Sequence, residues 1–160
     1  MPVIRSLSLP DEAATAALAQ ALAPLLQIGD ALLLDGPLGA GKTSFARALI
    51  RALAGPGIEV PSPSFNLVLT YETPVETVWH FDLYRVADPR ELDELGLDEA
   101  LSDGITLIEW PDRLGGFAPT SALTLRLSAE SASPTARRVE LLGDDGWSRR
   151  LSRLTVPSHV

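Results

Sequence analysis

A chain of 160 residues with 46% hydrophobic content and a mean hydropathy of +0.15 suits one globular domain, 1–160, and is too apolar for a disordered protein. A net charge of −8 argues against a broad nucleic-acid-gripping face, and the absence of cysteine excludes disulfides and thiolate metal sites. No apolar run approaches a membrane span, and the start Met-Pro-Val-Ile-Arg lacks a signal peptide's apolar centre, so a cytoplasmic location without membrane contact is expected.

Val3 to Leu7 alternates weakly and predicts a short edge strand. Ser8-Leu-Pro-Asp11 has the look of a capping box, followed by an alanine- and leucine-rich helix to about Leu26 that Gly29-Asp30 ends. Ala31 to Leu34 is apolar without alternation, as in a strand covered on both faces of a parallel sheet. Gly36, Gly41, Lys42 and Thr43 then fit G-x-x-x-x-G-K-[ST], and Phe45, Leu49, Ile50 and Leu53 recur at helical spacing until Gly55-Pro56-Gly57.

Strand, glycine-rich turn and helix together read as a phosphate-binding loop. Gly36, Gly39 and Gly41 let successive amides turn inward without a Cβ in the way, and the nest opens on a helix N-terminus that favours anions. Lys42 would reach the β- and γ-phosphates of a nucleotide, and the Thr43 hydroxyl would hold a bridging Mg²⁺. All twelve other basic residues are arginine. A lone lysine at this position points the same way, because a compact ammonium fits a tight amide nest where a planar guanidinium does not.

Pro61-Ser-Pro-Ser-Phe65 is a stiff hydroxyl-bearing loop, either an ordinary proline turn or a place where Ser62 or Ser64 senses the γ-phosphate or its metal. Asn66 to Tyr71 is strand-like. Val78-Trp-His-Phe-Asp82 and Ile105-Thr-Leu-Ile-Glu109 are apolar runs that each end in a carboxylate, which a phosphate loop needs beside it for Mg²⁺ and for the attacking water. The more apolar run before Glu109 favours that residue for the metal and leaves Asp82 to orient water or a metal-bound water. His80 reads as a core histidine and not a ligand, and Trp110 either lies near the nucleotide or belongs to the core.

Asp88 to Gly96 predicts a short helix with acids in its first turn, stopped by glycine. Gly115-Gly116 and Pro119 mark a loop. Ala122 to Leu127 alternates cleanly, and Arg138 to Leu142 is expected to pair with it antiparallel across Ser131 to Thr135. Trp147 to Leu154 predicts a terminal helix bearing Arg149, Arg150 and Arg153, a solvated face or a dock for a partner or tRNA. The fold class that follows is α/β, a P-loop NTPase-like three-layer arrangement with a mostly parallel sheet, helices on both faces and an antiparallel C-terminal strand pair.

Four blocks now resemble one family in order and spacing. Gly36-Pro-Leu-Gly-Ala-Gly-Lys-Thr43, Pro61-Ser-Pro-Ser-Phe65, Trp79-His-Phe-Asp-Leu-Tyr-Arg85 and Leu107-Ile-Glu-Trp-Pro111 are similar to the bacterial TsaE family of tRNA threonylcarbamoyladenosine biosynthesis. The resemblance extends to about Arg138, with Ser64 standing where the family usually has threonine. It implies a small ATPase that binds and hydrolyses ATP with Mg²⁺, acts with TsaD and TsaB, and meets tRNA only through that complex. It further implies phosphate contacts from Gly39, Ala40, Gly41, Lys42, Thr43 and Ser44, metal contacts from Thr43 and Glu109, catalytic roles for Lys42, Asp82 and Glu109, and no assigned contact in the C-terminal segment. A small-molecule kinase on the same fold, with Arg85 or Arg90 on a lid, and a non-catalytic ATP-gated switch are the alternative readings.

Overall fold

The computed structural model describes residues 2–131 and 133–156. In chain order the elements are β1 (Val3–Leu9), α1 (Glu12–Leu22), β2 (Ala31–Asp35), α2 (Lys42–Ala54), β3 (Val68–Glu72), β4 (Thr77–Asp82), α3 (Glu91–Glu94), α4 (Leu97–Asp103), β5 (Gly104–Glu109), β6 (Leu123–Ala129), β7 (Arg137–Leu142) and α5 (Asp145–Leu151). Short 3₁₀ turns cover Ala23–Leu25 and Pro111–Phe117.

The seven strands form one sheet in the order β1-β7-β6-β2-β5-β4-β3. The middle four, β6-β2-β5-β4, run parallel; β7 on one side and β3 on the other run against them, and the edge strand β1, antiparallel to β7, again shares the direction of the middle four. β5 is buried along its whole length, as a central parallel strand covered by helices must be. The anticipated pairing of β6 with β7 is present, and Ala132 of the connecting segment lies outside the described residues.

Both faces are covered. On one, Leu18 and Leu22 of α1 and Phe45, Leu49 and Ile50 of α2 pack on Leu32, Leu34, Leu107 and Leu125, joined by Trp147 and Leu151 of α5. On the other, Leu92, Leu97 and Leu114 close over Phe81 and Ile108. Leu49 is fully buried at the centre of the first layer. Leu49→Ala is expected to lower the unfolding free energy by about 2–5 kcal/mol through lost transfer energy and the cavity left behind, read by urea denaturation.

Several boundaries differ from expectation for local reasons. Asp11, not Ser8, caps α1: its carboxylate accepts from the Ala14 N–H at 2.9 Å, while Ser8 sits in β1 and donates to Glu130. The helix tightens to a 3₁₀ turn at Ala23, because Pro24 has no N–H to continue the ladder. α3 ends just before the left-handed Gly96, as expected, but Gly96 also opens a second helix, α4, where no helix was anticipated. Arg150 is not a free surface cation, since it pairs with Asp30 and lies 4.1 Å over the Trp147 ring.

Candidate functional site

Parallel strands aim their C-terminal ends at one edge, and loops leaving those ends build sites there. β2, β5 and β4 are neighbours, so the loop after β2 and the last residues of β5 and β4 meet at that edge. Register places Leu34 beside Glu109 and Glu109 beside Asp82. The residues singled out from sequence therefore share one cleft, lined by Gly39, Gly41, Lys42, Thr43, Ser44, Asp82 and Glu109 together with Ser62, Ser64, Trp110 and Arg137.

The loop geometry requires glycine at two points. At Gly36, with φ +149°, an added Cβ would lie 2.5 Å from the Leu127 carbonyl oxygen. Gly41 caps α2 in the left-handed region at φ +100° with no side-chain cap, which leaves the first amides of the helix turned to the cleft. Ala40 faces the other way: it is buried, and its N–H donates to the Pro37 carbonyl at 3.1 Å.

Lys42 opens α2 and is only 5% exposed. Its ammonium donates to the Gly36 carbonyl and, at 3.0 Å, to the Pro37 carbonyl, and it stands 3.7 Å from the centre of the Trp110 ring. Burial pushes its pKa below the ordinary lysine value, against the pull of Glu109, Asp35, Asp82 and Asp112. The next residue, Thr43, donates from Oγ1 to Glu109 Oε1 at 2.8 Å. Asp82 Oδ1 accepts the Tyr84 N–H at 3.1 Å, and its Oδ2 accepts from Ser64 Oγ at 3.4 Å, which ties the proline-serine loop to the end of β4.

A hydroxyl and a carboxylate meeting at the mouth of an amide nest are hard oxygen donors that fit Mg²⁺. Among the described residues no three acidic or imidazole groups converge as a self-sufficient metal cage. A cation held at Thr43 and Glu109 would draw its remaining ligands from phosphate oxygens and water, the usual habit of Mg²⁺ at nucleotide sites.

The family model described as "Threonylcarbamoyl adenosine biosynthesis protein TsaE" matches residues 9–139. The chain belongs to the TsaE family. A Rickettsia bellii protein named tRNA threonylcarbamoyladenosine biosynthesis protein TsaE is 44% identical over 119 residues, 74% of this chain and 83% of that protein. The Bacillus subtilis protein of the same name is 40% identical over 117 residues, 72% and 71% of the two chains. The crystal structure of Bacillus subtilis YdiB shares the fold with a TM-score of 0.76 and 26% identity, over 94% of this chain and 93% of that one.

Two further residues of this TsaE-family chain line the cleft, Trp110 and Arg137, and a third, His80, lies buried behind it. Trp110, with the left-handed φ of +61°, places its ring under Lys42 and 4.9 Å from the ring of Tyr84. Arg137 at the start of β7 donates from Nη2 to the Gly39 carbonyl at 3.0 Å and lines the same cleft as Lys42. His80 is buried as expected of a core histidine, yet its Nε2 lies 2.7 Å from Glu109 Oε2. Arg85 and Arg90, the candidate lid residues, are elsewhere: Arg85 lies over Phe65, and Arg90 pairs with Asp88.

Proposed function

We propose that this protein is a P-loop ATPase of tRNA threonylcarbamoyladenosine synthesis that binds ATP with Mg²⁺, hydrolyses it, and works in the cytoplasm with TsaD and TsaB as a single domain. The observation that carries this reading is the 2.8 Å contact between the Thr43 hydroxyl and Glu109, with Lys42 beside it at the helix start. A phosphate chain laid on the amides of Gly39 and of Gly41 to Ser44 would meet Lys42 at one end and this oxygen pair at the other. Bound Mg²⁺ supplies neutralisation of the developing charge on the phosphate oxygens.

The chain's own residues account for the rest. The loop amides and the α2 N-terminus orient the phosphates, and Lys42 stabilises charge that grows on the β–γ bridge as it breaks. Water attacks the γ-phosphorus in line while the bond to the ADP oxygen cleaves, giving ADP and phosphate. Asp82, 6% exposed, orients that water or the water shell of the metal. With a net charge of −8, the protein leaves tRNA to its partners.

The test is ATP turnover by the purified chain, alone and with TsaD and TsaB. Stimulation by the partners, with phosphate released to water, supports the reading. Partner-independent turnover, or transfer of phosphate to a small acceptor, contradicts it.

A further inference from the structure

Side chains alternate along a strand, so His80, two residues before Asp82 on β4, projects from the same sheet face as Asp82 and Glu109. That places its ring directly beneath the carboxylate. His80 and Glu109 are buried to 0% and 2% exposure, and Nε2 meets Oε2 at 2.7 Å while Oε1 accepts from Thr43. An ionised carboxylate only accepts, so the shared proton belongs to Nε2. The other ring nitrogen, Nδ1, is buried with no partner among the described residues. A histidine serving only the core would satisfy both nitrogens; here the ring's hydrogen bonding goes entirely to one oxygen of Glu109.

We propose that His80 is a positioning residue that fixes the Glu109 carboxylate so that Oε1 alone is presented to Thr43 and a divalent cation. The inference rests on the reading of Thr43 and Glu109 as the cation-holding pair. The terminal torsion of a glutamate is broad, and an untethered carboxylate turns freely between one-oxygen and two-oxygen presentation. Mg²⁺ demands near-octahedral geometry and tolerates that freedom poorly. Clamping Oε2 from the buried side removes it, as partners behind metal ligands generally do.

The test is calorimetric binding of ADP with and without Mg²⁺ to wild type, His80→Gln, His80→Asn and Glu109→Gln, each checked for folding by thermal melting. A glutamine amide reaches the place of Nε2, whereas an asparagine amide falls short, near Nδ1. Wild type and His80→Gln are expected to show the same Mg²⁺ concentration for half-maximal enhancement of ADP affinity. His80→Asn is expected to need about 10-fold more, or beyond, with metal-free affinity unchanged. Should Glu109→Gln lose the enhancement while His80→Asn matches wild type, or His80→Gln do no better than His80→Asn, the positioning role is overturned and the cation site stands. Full enhancement in Glu109→Gln overturns both.

Discussion

Replacing Lys42 with alanine is expected to lower partner-stimulated ATP turnover by about 100- to 1,000-fold, the scale seen when one preorganised charge-stabilising group is removed from an enclosed site. Lys42→Arg is expected to fail nearly as badly. The ammonium sits between the carbonyls of Gly36 and Pro37 and the face of Trp110, a space that admits a thin stem and not a guanidinium plane. The same burial has a signature in stability. Because the folded chain releases the Lys42 proton below the ordinary value of 10.5, the unfolded chain binds more protons between the folded value and 10.5, and stability rises with pH across that interval. The gain is complete above 10.5 and lost as pH falls through the folded value. Lys42→Met, which keeps the bulk and removes the charge, is expected to flatten that rise in urea unfolding at increasing pH. Turnover within a few-fold of wild type in Lys42→Ala, or an unchanged pH slope in Lys42→Met, would sink the assignment.

The parts of the site legible in sequence were those where local chemistry and location coincide. A glycine-rich turn between a buried strand and an amphipathic helix has few uses, and two apolar strands ending in carboxylates must bring those carboxylates to the same edge if both are parallel to β2. His80 was half legible. Its place in an apolar strand marked it as a core histidine, but only the β4–β5 register shows that its face carries Glu109 at hydrogen-bonding distance. Arg137 was not legible at all, because its approach to Gly39 depends on β7 pairing with β6 and β6 lying beside β2, contacts across roughly a hundred residues that no local pattern encodes. The antiparallel edges β1 and β3 were visible as strands without their direction, for the same reason. Gly96 was read correctly as the stop of α3, while α4 was missed because a left-handed glycine ends one helix in the same way whether a loop or a second helix follows.

Asp82→Asn is expected to separate the two carboxylates. Asparagine matches the shape of aspartate, can still accept the Tyr84 N–H now held at 3.1 Å, and can turn its amide toward Ser64, so the end of β4 should keep its form. What disappears is the negative charge. Asp82 touches Ser64 and the turn at Tyr84, whereas the Thr43 hydroxyl is committed to Glu109, so under the proposed reading a cation at Thr43 would be held by Glu109 and the Asp82 charge would act on water. Asp82→Asn should therefore leave Mg²⁺-dependent ADP affinity within a few-fold of wild type while cutting turnover with TsaD and TsaB by about 100-fold or more, the scale on which a carboxylate positioned on the attacking water contributes. Glu109→Gln should lose the Mg²⁺-dependent part of binding and turnover together. If instead Asp82→Asn abolishes the metal-dependent binding and Glu109→Gln spares it, the roles are reversed, and the Thr43–Glu109 contact is a resting hydrogen bond that nucleotide binding breaks.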